Sequence, residues 1–156
     1  MNIHFIKTPE KREIIAQLNK QYGITELPYL LIETGKEKIR GFSGSLSKDE
    51  IQNLGQLARI ELIGSYLIRK EHDMRLSFDA LHLLKNQIVS GIIEINEEEY
   101  EEWIRGYDLN KRAEKGTFAV RFKGDFVGCG KSTGDKLINH VPKERRLKSK
   151  LPEKEE

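Results

Sequence analysis

The sequence predicts an α+β protein in two parts: an α/β unit over residues 1–90 and a smaller β-rich unit over residues 91–148, followed by a disordered tail at 149–156. Three observations carry this. Capping residues recur ahead of apolar side chains at helical spacing. Two alternating runs around Lys123-Gly124-Asp125 read as a β-hairpin. Apolar periodicity disappears from residue 148 onward.

Taken in order, Thr8-Pro9 reads as an N-cap followed by proline at the first helical position. Ile14, Ile15, Leu18 and Tyr22 then recur at helical spacing until Gly23 stops them. Leu27 to Glu33 is apolar, Gly35 supplies a turn and Lys38 to Phe42 alternates, which predicts two short strands in a hairpin. Ser47 and Glu50 form a capping box ahead of Ile51, Leu54, Leu57 and Ala58, so a second helix is expected there. Ile60 to Ile68 reads as a strand interrupted by Gly64. Ser77 caps a third helix with Phe78, Leu81 and Leu84 on its inner face, ending near Asn86.

A boundary falls near Val89 to Ile92, after which Ile92 to Ile95 is a short strand. Asn96 with Glu99 opens a fourth helix that buries Tyr100, Trp103 and Ile104 and closes at Gly106. The six glutamates between Glu94 and Glu102 sit mostly in its first turns, where the helix dipole favours negative charge, so they read as structural. Thr117 to Phe122 and Phe126 to Lys131 flank a tight turn and form the hairpin.

A chain of 156 residues, 37% hydrophobic, can bury one ordinary core or two small ones. No run approaches the roughly 18 apolar residues of a membrane span, and the start lacks the apolar stretch of a signal peptide, so a soluble cytoplasmic protein is expected. Cys129 is the single cysteine and can build neither an internal disulfide nor a two-thiol metal or redox site. His4, His72, His82 and His140 lie far apart with no carboxylate or cysteine at ligand spacing, so no metal site and no cofactor are expected.

The net charge of +2 conceals an asymmetry. Residues 121–150 carry nine cations against three acids, a net of +6, while the rest carries 18 against 22, a net of −4. A basic segment on an otherwise acidic chain suits a polyanion, because local potential sets the attraction; a solvated basic tail has the same composition. The candidate RNA-contacting residues are Arg121, Lys123, Lys131, Lys136, Asn139, Lys143, Arg145, Arg146 and Lys148. Pro142 is expected to hold its segment extended and so fan Lys143, Arg145 and Arg146 outward.

Gly128-Cys129-Gly130-Lys131-Ser132-Thr133 imitates the end of a phosphate-binding loop but has Asp125 where that loop needs its first glycine, and little sequence for the helix that should follow. Nucleotide chemistry is the poorest reading, and no catalytic residue is assigned. The glycines at 128 and 130 allow another backbone to approach closely, which RNA phosphate or a neighbouring strand would satisfy equally. Trp103, Phe118, Phe122 and Phe126 read as core before they read as base-stacking groups, and Cys129 reads as a buried, inert thiol.

The run Tyr100 to Gly106, the strand Gly116 to Phe122, Asp125 to Lys131, and Leu137 to Arg146 resemble a PUA-like RNA-binding domain, most of all the tail of the Sun-type rRNA cytosine-5 methyltransferases. Upstream, Gly64 to Leu81 resembles the pre-PUA half of the Nip-type ribosome-assembly factors. The matches cover about residues 60–147. Ile138 stands where the methyltransferase tail usually has lysine, and Val127 where it has leucine. The resemblance implies a pre-PUA α/β domain followed by a PUA-like pseudo-barrel, with RNA contacts at Lys131, Asn139, Lys143 and Arg146. It implies binding to structured rRNA or tRNA in ribosome assembly or RNA modification, with a methyltransferase or another RNA-modifying enzyme as a further partner. The chain has no room for the doubly wound methyltransferase fold itself, so no enzyme activity is expected. The competing reading is a protein-interaction subunit whose acidic N-terminal portion docks such an enzyme.

Overall fold

Helix α1 (Thr8–Tyr22) starts one residue earlier than the Thr8 cap predicts: Lys7 is the N-cap and makes no side-chain cap bond, which moves Pro9 into the second helical position. Proline is still tolerated there because the first-turn amides have no intrahelical partner. Gly23, at φ +84°, closes the helix as expected. Ile14, Leu18 and Tyr22 form its buried stripe. The computed structural model describes residues 3–35, 37–42 and 64–147; the helix expected at 47–58, the first part of the strand expected at 60–68, Lys148 and the tail lie outside them.

The chain forms two compact units, residues 1–90 and 91–156. In the first, β1 (Ile3–Phe5), β2 (Leu30–Thr34), β3 (Lys38–Phe42), β4 (Ser65–Lys70) and β5 (Met74–Leu76) form one sheet in chain order, every neighbour antiparallel. The β2–β3 hairpin is the one the alternation predicts. Helix α1 is tied to β5 at its last turn: the Gln21 amide bonds both the carbonyl (3.0 Å) and the N–H (2.8 Å) of Met74, and the Tyr22 hydroxyl donates to the same carbonyl at 2.6 Å. Helix α2 (Phe78–Leu83) is capped by Ser77, whose hydroxyl accepts from Ala80 N. It ends three residues before the expected Asn86.

In the second unit, β6 (Ile92–Glu94) leads into α3 (Glu97–Trp103), then β7 (Leu109–Asn110), β8 (Gly116–Phe122), β9 (Asp125–Ser132), β10 (Lys136–Asn139) and a 3-10 turn at Lys143–Arg145. The sheet order is β6-β8-β9-β10-β7. β6 and β8 are parallel, so they need a crossover, and the chain through α3 supplies it. Asn96 and Glu99 close the capping box that the sequence predicts, at 2.8 and 2.9 Å. In the β8–β9 hairpin Phe122 faces Asp125, with Lys123 and Gly124 both at positive φ in the two-residue turn, the geometry that matches the twist of the strands.

Trp103 is the centre of this unit. It is fully buried, and its indole N–H donates to Val127 O at 2.9 Å, the residue left over where the register slips between Val120 and Arg121. A Cβ on Gly130 would lie 2.8 Å from the Trp103 ring and 3.0 Å from Ile138 O. The close approach expected at Gly130 is therefore made by the core and by β10.

Candidate nucleic-acid interface

The candidate cations fall in three places, each set by local structure. Lys131 and Lys136 belong to the sheet. Along β9 and β10, Gly130, Ser132, Leu137 and Asn139 are buried while Lys131 and Lys136 are exposed, the alternation a pleated strand imposes. Gly130 faces Trp103, so Lys131 leaves by the opposite face. Its cross-strand neighbours are Thr117 and Ile138, and Lys136, two residues from Ile138, is a diagonal neighbour about 7–8 Å away. Neither lysine has a hydrogen-bond or ion-pair partner among the described residues.

Arg121 and Lys123 sit beside the start of α3. Arg121 lies opposite Glu94 in the parallel β6–β8 pair, and its guanidinium holds Oε2 of that carboxylate through Nε at 2.7 Å and through a second N–H. It also covers the Phe126 ring. The bond to Glu94 raises the Arg121 pKa, against a smaller opposing effect of desolvation. Lys123 reaches Glu97 at 3.6 Å and lies over Phe122. An incoming phosphate would compete with a glutamate at both.

The third place is the other end of α3. Here the extended, fanned segment expected after Pro142 is corrected: Lys143–Arg145 forms a 3-10 turn, and Arg146 folds back. Its Nε donates to Val141 O at 2.9 Å, and its side chain lies across Gly106, where a Cβ would stand 2.5 Å from Arg146 Cδ. Gly106 has φ +96°, so a side chain there would be both strained and obstructed. Lys143 is exposed and has no partner among the described residues.

Asn139 is corrected from a contact to a scaffold residue. It is 8% exposed, and its amide donates to Trp103 O (2.8 Å) and Tyr107 O (3.0 Å) while accepting from Val141 N (2.7 Å). Both donor hydrogens are used inside the protein, leaving none for a ligand. The clue was in the sequence, since Leu137 and Asn139 are two apart on one strand and share a face.

Two further features were hidden from sequence spacing. In the first unit His4, Glu10 and Glu33 meet with their ligand atoms within 4.8 Å of one another, because β1 pairs His4 with Glu33 and the first turn of α1 adds Glu10. The absence of a carboxylate at ligand spacing in the sequence therefore did not reveal this grouping, which only the fold assembles. The group is internally compensated: His4 Nε2 lies 3.0 Å from Glu10, and Lys70 lies 3.4 Å from Glu33. In the second unit Tyr107 and Leu147 are 57% and 59% exposed. Tyr107 follows the glycine that ends the helical pattern, outside the inner stripe of Tyr100, Trp103 and Ile104, which is the signal that marks it.

The Gly-Lys-Ser run lies within β9 and turns into β10, so no helix follows it to hold a nucleotide phosphate. Among the described residues no helix is long and apolar enough to cross a membrane.

Comparison with known proteins agrees with this fold. Residues 90–147 match the family model described as the methyltransferase RsmF PUA domain, which suggests RNA binding for the second unit. A conserved PUA domain protein from Thermoplasma acidophilum superposes with a TM-score of 0.56 at 17% identity, covering 88% of this chain and 93% of that one. A hypothetical protein from the archaeon Pyrococcus horikoshii gives 0.54 at 15% identity, covering 89% and 94%. No curated protein matches the chain. The second unit is a PUA-like domain, similar to the tails of Sun-type methyltransferases.

Proposed function

We propose that this chain is a non-catalytic, cytoplasmic RNA-binding protein that recognises structured rRNA or tRNA and assists ribosome assembly or RNA modification. One observation carries the reading: Lys131, Lys136 and Lys143 are exposed cations with no acidic partner among the described residues, on a unit that matches a PUA family model. Arg145 and Arg146, on and just after the 3-10 turn, are further cations of this unit, Arg145 with an interaction of its own and Arg146 held by a backbone carbonyl. Arg121 and Lys123 contribute less, because each already faces a glutamate. The first unit is read as a pre-PUA domain, a reading supported by the two solved structures that align over most of the chain.

With five phosphates neutralised, log affinity falls with log salt at a slope of about −3.5 to −4.5. A filter-binding titration on a folded RNA tests this, and absence of affinity at low salt would remove the reading. A partner enzyme is a finer proposal, suggested by the methyltransferase in the matched family's description. Pull-down from nuclease-treated extract tests it: retention of a modifying enzyme supports the partnership, and loss of every protein refutes it.

A further inference from the structure

The end of α3 carries a group that the charge reading leaves unused. Tyr107 is more than half exposed, and its ring and hydroxyl have no partner among the described residues. Most other aromatics of this unit are occupied: Trp103 is buried, Tyr100 stacks on Phe122 at 4.1 Å and 10°, Phe126 lies under Arg121, and Phe118 is half-buried. The Tyr107 backbone is nonetheless fixed, its N–H donating to Glu102 O at 3.2 Å and its carbonyl accepting from Asn139 at 3.0 Å.

Arg146 is fixed beside it. The side chain crosses Gly106, the residue before Tyr107, and one of the five guanidinium-side N–H groups is held by Val141 O. The other four project with no partner among the described residues. Leu147 N donates to Ile104 O at 2.7 Å, which brings a second exposed apolar side chain to this end of the helix. Two acids of this region are engaged, Asp108 accepting from Asn139 N and Glu101 facing Arg105, while Glu102 and Glu144 are exposed to solvent. An open aromatic face on a rigid backbone next to a pinned planar cation matches the chemistry of a base with its own phosphate.

We propose that Tyr107 is a stacking platform for an unpaired base, with Arg146 on the adjoining phosphate, so that the RNA bound by this unit presents an unpaired nucleotide at the C-terminal end of α3. This rests on the RNA-binding reading of the same unit and deepens it. Lysines on phosphates do not distinguish paired from unpaired strands, whereas the face of a base is available only where the stack is open. Strandedness is therefore set at Tyr107 and not by the charge of the domain.

The test compares the full chain with Tyr107→Ala and Tyr107→Phe by fluorescence anisotropy at one low salt concentration. The two probes are an RNA hairpin bearing a single-stranded 3′ tail and the same hairpin with a blunt end. Wild type prefers the tailed RNA. Tyr107→Ala loses roughly 5- to 100-fold in affinity for it and less than about twofold for the blunt one, while Tyr107→Phe stays within about twofold of wild type on both. Equal losses on both probes, or an unchanged affinity of Tyr107→Ala for the tailed RNA, overturn the proposal and leave RNA binding standing. A wild-type chain that binds neither probe defeats the RNA reading itself. The exposed position of Tyr107 and the near-normal phenylalanine variant separate loss of stacking from loss of fold.

Discussion

At one end of α3 the cations Arg121 and Lys123 each face a glutamate; at the other, Lys143 is open to solvent and Arg146, among the described residues, is tied only to a backbone carbonyl. The residue types are the same and the sequence places all four within one basic segment. A phosphate approaching Arg121 must displace Glu94, whereas one approaching Lys143 displaces water. Charge counted along a chain therefore overstates a binding surface wherever the fold returns an acid to it. Here the parallel β6–β8 pairing performs that return, since it sets Glu94 against Arg121.

The contrast can be broken most severely by removing the residue around which the unit is packed. Trp103→Ala is expected to cost about 3–5 kcal/mol, read as a shift in urea unfolding, because it empties the core and leaves Val127 O without its donor. Asn139→Ala follows at about 2–3 kcal/mol, since Trp103 O, Tyr107 O and Val141 N lose their partner. At temperatures where this variant remains folded its RNA affinity is expected to match wild type; a drop in affinity with unchanged stability would make Asn139 a contact after all.

Smaller effects sharpen the comparison between the two ends. Lys143→Ala is expected to lower the magnitude of the salt slope by about 1, and Arg121→Ala by clearly less, in parallel titrations. Glu94→Gln and Glu97→Gln should act in the opposite direction. They release Arg121 and Lys123 and raise RNA affinity by roughly two- to fivefold, the scale of an exposed ion pair. A fall in affinity on either substitution would show that the glutamates support binding.

The sequence disclosed the parts of the fold whose signals are local. The Asn96–Glu99 box, the Ser77 cap and the β8–β9 hairpin each depend on residues a few positions apart, and each forms as read. β1, β5, β7 and β10 escaped notice because they hold two to four residues, too few for an alternation to show, and because β1 and β7 pair with strands about 30 positions away. The segment after Pro142 misled for a related reason. Proline restricts the residue before it and its own φ, not the residues that follow, and the chain there coils into a 3-10 turn and folds Arg146 across Gly106. At the candidate interface, residue types and the basic segment were legible in sequence. Which cations are compensated was not, because Glu94 lies 27 positions from Arg121 and only the sheet joins them.

The central claim is that RNA is gripped by the uncompensated cations and not by basic charge in general. It is tested most directly by salt titration of RNA affinity for three chains: wild type, the triple variant Lys131→Ala, Lys136→Ala and Lys143→Ala, and the double variant Arg121→Ala and Lys123→Ala. The account predicts that the triple variant loses about 2 to 3 from the magnitude of the log–log slope while the double variant stays near wild type. Equal losses per residue in the two variants, or a wild-type affinity indifferent to salt, would contradict it.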